Sequence, residues 1–324
     1  MNAKIKIVSS LLVTLLLAVL TACSNSNSSS GGDGMGSLTL GITDAPVDEA
    51  LKVVVEFTGV HLKGQGNDDP VTVIEFEQPK VINLLDLQGS DSEILLQDIS
   101  LAAGDYQWIR LQVVADGIYT EPEAGDIDDH GVGSYVLQDN GSGPEKIALK
   151  VPSGNQSGLK LVSGFTVDDF GQTNFTIDFD LRKAIHDIGE DYYVLRPALR
   201  MVETNAAGHI DGFIDPELLQ NNNESCFDAE MKLEGAAVYV FEASTAVDDM
   251  QSTAGIGPLS TALVTYDGNA YQYALGFLDA GEYILVLTCD AELDDSEDND
   301  EIVFIAEIDQ VFVAAGKTTY VDFD

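Results

Sequence analysis

The chain has 324 residues, 15 Lys+Arg against 55 Asp+Glu, a formal net charge of -40 at pH 7 and 45% hydrophobic residues. A field of that sign repels phosphate backbones, which excludes nucleic acid as a ligand, and it attracts basic partners and divalent cations; carboxylates spread over every face as a solubility device are the alternative. The apolar content excludes a disordered chain, and the length suits two domains.

The N-terminus reads as a secretory signal peptide over residues 1–22: Lys4 and Lys6, the apolar run "IVSSLLVTLLLAVL", then Leu20, Thr21 and Ala22 before Cys23. The run is shorter than the ~20 residues that a bilayer-spanning helix needs. "LTAC" resembles the lipobox of bacterial lipoproteins. That resemblance implies that Cys23 becomes the acylated, palmitate-bearing first residue, so that the membrane is a partner through a lipid anchor. Ser24 in place of Asp implies sorting to the outer membrane of the cell envelope, on either its periplasmic or its surface face. Ser24 to Gly36, "SNSNSSSGGDGMG", holds almost nothing to bury, and residues 23–36 are expected to be a lipidated cysteine and a flexible tether. Its reach is about 20 Å by flexible-chain scaling.

Beyond the tether the apolar residues alternate or form short β-branched runs: "SLTLGI", "KVVVEFTGVHL", "VTVIEF", "DYQWIRLQVVA", "EKIALKV" and "TNFTIDFDL". These predict strands, separated by turn-rich pieces such as "KGQGNDDP" and "DNGSGP". Short helices are expected only at "VDEAL" and "LRKAIHDIG". Asp44 precedes Ala45-Pro46 and Asp48 precedes the second strand, so both are expected to organise the turn between the first two strands. A second block, 207–324, is again almost all strand, from "HIDGFIDP" through "AAVYVFEAS", "TALVTYDG", "AYQYALGFL", "GEYILVLTC" and "EIVFIAEIDQVFVAAG" to "KTTYVDF". With no long crossover helices, the pattern predicts an all-β chain: two antiparallel β-sandwich domains, 37–204 and 207–324.

One internal echo links the blocks. Leu101, Gly104 and Tyr106 of "LAAGDY" correspond to Leu278, Gly281 and Tyr283 of "LDAGEY". A tight turn at Gly would lead into a core strand whose Tyr buries its ring and sends its hydroxyl to a backbone group. The second copy resembles the turn of transthyretin-like and carboxypeptidase-regulatory-like domains, which implies a small sandwich that binds or spaces. Cys226 and Cys289 lie in the same block of an exported chain and are expected to form a disulfide.

No zinc-protease, nucleophile-elbow, nucleotide-loop or paired CxxC motif occurs, and there are four histidines. "GDIDDHG" places Asp126, Asp128 and His130 as in the first half of a calcium loop, but the acid expected later falls at Leu137. That loop and "LDDSEDND", Leu293 to Asp300, are expected to be solvated. Asp178 and Asp180, two apart on one strand, precede Arg182, Lys183 and His186. They suit an acid/base pair or, as favoured here, a cap on the following turn with ion pairs to Arg182, Arg196 or Arg200.

The lipobox, "LTLGITDAPVDEALKVVVEFTGVHL", "INLLDLQG", "LAAGDYQWIRLQV", "IDFDLRKAI" and "YYVLRPALRMV" occur in the order that resembles the bacterial lipoprotein family called domain of unknown function 4382, over roughly residues 36–203. The resemblance implies a β-sandwich on the cell envelope and no activity. The expectation is a non-catalytic binding module with a protein or glycan partner and calcium as a candidate ligand. No catalytic residue, metal ligand or cofactor is assigned. A metal-assisted hydrolase using Asp126, Asp128 and His130, or Asp178, Asp180 and His186, is one alternative; an acidic architectural spacer is another.

Overall fold

The computed structural model describes residues 34–324 other than 47–49, 67, 123–130, 140, 142, 153–157, 189–190, 221–225, 229, 248–249, 251–256 and 295–301. The chain is all-β, built of antiparallel-rich sheets in two sandwiches. In the first half the strands are β1 (Met35–Ala45), β2 (Lys52–Gly64), β3 (Val71–Asn83), β4 (Glu93–Ala102), β5 (Gly104–Val113), β6 (Tyr135–Asp139), β7 (Pro144–Lys150), β8 (Leu159–Leu161), β9 (Phe165–Val167), β10 (Gln172–Asp180), β11 (Ile185–Asp187), β12 (Tyr192–Leu195) and β13 (Leu199–Glu203). Sheet one runs β13-β10-β1-β4. Sheet two runs β11-β12-β7-β6-β2-β5-β8, with β3 beside β2 and β9 beside β5.

Along β5 and the first half of β1 the alternation read from the sequence is the alternation of burial, whereas Val53–Phe57 of β2 and Thr176–Phe179 of β10 are buried in continuous runs. Leu38, Leu40 and Ile42 of β1 and Val53, Val55 and Phe57 of β2 are fully buried and face each other across one core. Phe57 and Val60 both point inward although they are three apart, because the register of β2 slips between Phe57 and Gly59. Two strand pairs in this half are parallel, β1 with β10 and β7 with β12.

The second half holds β14 (Gly208–Ile214), β15 (Ala237–Glu242), β16 (Ser260–Leu263), β17 (Thr265–Tyr266), β18 (Tyr271–Leu278), β19 (Gly281–Thr288), β20 (Phe304–Val313) and β21 (Thr318–Tyr320). Sheet three, β17-β18-β14-β21, lies over sheet four, β16-β15-β19-β20, around a second core that includes Ile210, Val238, Leu275, Leu285 and Phe323.

The helices depart from expectation. "LRKAIHDIG" gives one turn, α1 (Leu181–Ala184), because Ile185–Asp187 instead pairs with β12. A short α2 (Pro216–Gln220) arises where Pro216 suits a first helical position and the Asp215 carboxylate accepts the Glu217 N–H at 2.8 Å. Most of "VDEAL" lies outside the described residues.

The two echoed tyrosines take matching positions. Tyr106 is 7% and Tyr283 4% exposed, and each hydroxyl donates to the carbonyl four residues upstream, Tyr106 to Ala102 at 3.0 Å and Tyr283 to Asp279 at 2.7 Å. Gly104 takes φ +133°, which a side chain rarely allows, to make the turn. Cys226 and Cys289 form the disulfide, with Cα atoms 4.8 Å apart. It closes a loop of sequence separation 63, worth about 4 kcal/mol on the chain-entropy account. The bridge ties the segment after α2 to the end of β19.

Each Tyr to Phe change removes one hydroxyl while keeping the ring. Tyr106→Phe and Tyr283→Phe are expected to cost about 1 kcal/mol each and to add in the double variant, as read by chemical denaturation. A null effect of both would remove the hydroxyls from the account of the fold.

Candidate functional site

The parallel register of β1 and β10 sets Thr43 opposite Asp178, Asp44 opposite Phe179 and Ala45 opposite Asp180. Asp44 therefore lies inside the end of β1 and not in a turn, which corrects the sequence expectation. The strand continues to Ala45 because β10 pairs with it and because the Asp44 N–H donates to Leu87 O at 3.1 Å. Asp44 is 5% exposed, and neither carboxylate oxygen has a hydrogen-bond partner. Burial first, then the charges of Asp178 and Asp180, push its carboxyl well above the ordinary value. Asp48 lies outside the described residues.

Asp178 is also buried, and its carboxylate pairs with Arg200 Nη2 at 2.5 Å. Burial raises its pKa and Arg200 opposes the rise. Asp180 caps α1, accepting from Lys183 N at 3.3 Å and pairing with Lys183 Nζ at 2.5 Å. His186 Nε2 donates to the Lys183 carbonyl at 2.9 Å. The capping arrangement is the one these residues adopt, with Arg200 as the ion-pair partner of Asp178.

Arg182 goes elsewhere. Its guanidinium pairs with the Asp294 carboxylate, the two side chains being 5% and 1% exposed, and Nη2 also donates to Met250 O at 2.9 Å. Tyr239 Oη donates to the same carboxylate at 2.8 Å, and the guanidinium lies 5.7 Å from the Tyr239 ring centroid. Asp294, expected in a solvated loop, is thus the buried anion at the junction of the halves, because Arg182 and Tyr239 require one there. Lys183 Nζ reaches Pro258 O at 2.7 Å and Arg200 Nη1 reaches Phe277 O at 2.8 Å. Three of the few basic residues therefore cross from the first half into the second.

Beside this junction the turn after β3 leans on sheet three. Gly89 takes φ +64°, and a Cβ on Gly276 would collide with the Gly89 carbonyl, so the two backbones touch only because both are glycine. The contact leaves a cleft of about 480 Å³ between Gln88, Ser90 and Asp91 of the first half and residues of β14, β16, β17, β18 and β21. Asp211, Tyr273, Phe213 and Tyr320 line it, the last two 52% and 77% exposed. Neither the Asp91 nor the Asp211 side chain accepts a hydrogen bond from the described residues. Burial pushes the Asp211 carboxyl up, against the pull of His209, whose Nδ1 accepts from the Phe277 N–H at 3.3 Å. The sequence reading missed this cleft. Its one local signal was Asp211 and Phe213 alternating with buried Ile210 and Ile214 in "HIDGFID".

Cys23 and the group Asp126, Asp128 and His130 lie outside the described residues. Among the described residues no three acid, histidine or cysteine side chains are arranged to hold a metal ion, and no helix is long and apolar enough to cross a membrane.

The profile of the family described as Domain of unknown function (DUF4382) matches residues 35–197. No curated protein matches the chain. Among solved structures, a "putative adhesin" from Bacteroides ovatus is 10% identical with a TM-score of 0.21, over 90% of this chain and 87% of that one. GBS52, the minor pilin of Streptococcus agalactiae, is 10% identical with a TM-score of 0.18, over 89% and 94%. The major pilin of Streptococcus pyogenes is 9% identical with a TM-score of 0.17, over 90% and 100%. At these scores the likenesses carry no argument about this chain.

A carboxyl whose pKa is raised by folding stabilises the fold below its unfolded value, and that contribution is lost as pH rises through the folded value. Asp44→Asn is therefore expected to melt higher than the parent at pH 7, with the gap closing as pH falls toward the ordinary 3.8. A gap that does not vary with pH would contradict a sealed, proton-holding Asp44.

Proposed function

Because the chain belongs to the family of domain of unknown function 4382, whose name assigns no activity, we propose that it is a lipid-anchored cell-envelope protein acting as a non-catalytic interaction module. The observation that carries the reading is the division of labour among its carboxylates. Those that suit acid/base chemistry are occupied or sealed: Asp178 by Arg200, Asp180 by the α1 cap and Lys183, Asp44 by burial. Those that face outward, Asp91 and Asp211, line a cleft with exposed aromatic rings and hydrogen-bonding amides. Such a surface suits a partner bringing N–H or O–H donors and apolar faces, a basic protein segment or a glycan. The transthyretin-like character of the second half belongs to the same reading, since such sandwiches bind or space.

The anchor rests on the N-terminal pattern. Processing before Cys23 and acylation of that residue would place the folded part within about 20 Å of the outer membrane, given the tether. Divalent cations, calcium among them, are candidate ligands of the acidic loops. No nucleic acid partner is proposed.

The test uses the full chain in its bacterial host with a photo-crosslinking residue at Tyr320 in the cleft or at Ile118, which is outside the cleft lining and 65% exposed. The reading predicts a discrete crosslinked product from position 320 and none from 118, in a membrane fraction that Cys23→Ala empties. Equal labelling from both positions would sink the cleft, and an unchanged membrane fraction in Cys23→Ala would sink the anchor.

A further inference from the structure

The chain is acidic overall, and a group of basic side chains meets on the outer face of sheet two. There β2, β5 and β8 set His61 opposite Arg110 and Arg110 opposite Lys160, with Trp108 two residues before Arg110 on the same face. The Arg110 guanidinium lies 4.9 Å and the Lys160 ammonium 4.8 Å from the Trp108 ring centroid. Two like charges directly opposite on neighbouring strands destabilise a sheet unless something offsets them. With 55 acids in the chain against 15 bases, a carboxylate partner for each would be the ordinary solution. Among the described residues neither cation has one, and the Arg110 Nε–H is buried without an acceptor. An acid on the neighbouring strand β3, Glu75, pairs with Gly59, one row from His61. Burial, then the charge of Arg110, lowers the His61 pKa, so His61 stands neutral and its ring contacts Gln112.

We propose that this face is a binding site for a compact oxyanion, a phosphate or sulfate group, held by Arg110 and Lys160 beside Trp108. The guanidinium offers a planar fork that matches two oxygens of such a group, and the lysine adds a point charge on the same anion. Trp108 holds both cations at fixed positions through its π face, so the pair is organised before a ligand arrives. The acidity of the whole chain does not forbid this. Fields between exposed charges are screened beyond about 8 Å at physiological salt, so the distant carboxylates of the chain count for little at this face. The site belongs to the first half alone and is separate from the cleft.

Trp108 is the only tryptophan, so its fluorescence reports this site in the full chain. Titration with inorganic phosphate at constant ionic strength, balanced by chloride, is expected to give a saturable change in Trp108 emission. A parallel titration with glycerol phosphate separates the sources of the anion: tighter binding there assigns a phosphorylated polyol or lipid headgroup, and equal or weaker binding assigns the free ion. Both outcomes support the site. Arg110→Gln and Lys160→Gln, each relieving the like-charge contact and each checked by its melting temperature, should weaken binding at least tenfold. No saturable response to either probe in the unsubstituted chain would overturn the proposal. Unchanged affinity in folded Arg110→Gln and Lys160→Gln proteins would overturn it equally.

Discussion

The buried pair of Arg182 with Asp294 is the contact on which the arrangement of the two halves depends. A chain of net charge -40 cannot bring two acidic sandwiches together through carboxylate-rich surfaces without cations at the seam. An arginine side chain 5% exposed is costly unless its charge and its donors are met. Here they are met by the Asp294 carboxylate, the Met250 carbonyl and the Tyr239 ring, while Tyr239 also donates to Asp294. Removing one partner of such a pair typically costs about 3–5 kcal/mol, because the other is left buried and alone. Arg200 and Lys183 extend the seam, each joining an acid of the first half to a carbonyl of the second. The cleft follows from this seam, since its walls come from both halves and the Gly89–Gly276 contact requires them in close register.

What the sequence made legible was what local pattern encodes. Alternating burial in β5 and in the first half of β1 was readable because a pleated strand with one core face has a period of two, while the β-branched and aromatic run of β2 was readable as a strand covered on both faces. The paired Leu-Ala-Gly-acid-Tyr segments were readable because the turn, the glycine and the tyrosine hydroxyl act within a few residues of one another. Cys226 and Cys289 were readable because two cysteines in one block have one pairing to make. Strand β4 was missed because Asp98 takes a positive φ and the register with β1 slips nearby, so the alternation in "EILLQDISLA" breaks. Asp294 was read as solvated because its partner is 112 residues away and nothing in "LDDSEDND" singles it out. Asp44 was read as a turn residue because Ala45-Pro46 follows it, whereas the parallel pairing with β10, invisible locally, carries it inside.

The outcome is a protein whose interior and exterior use charge in opposite ways. Inside, scarce cations pin selected carboxylates, Glu56 is met by the Gly133 N–H, and among the described residues Asp44 is the buried carboxylate whose oxygens have no hydrogen-bond partner. Outside, a cleft with open carboxylates and aromatic rings lies between the halves, and a small cationic face with the one tryptophan lies on the nine-stranded sheet. The two exposed surfaces are of unlike chemistry and lie on different sheets of one body.

The most direct test of the central claim is differential scanning calorimetry of the full chain beside its Arg182→Met variant. If the Arg182–Asp294 seam locks the halves, the parent unfolds in one transition whose calorimetric and van't Hoff enthalpies agree, and the variant splits into two. Two separate transitions in the parent, or a single unshifted transition in the variant, would contradict the account.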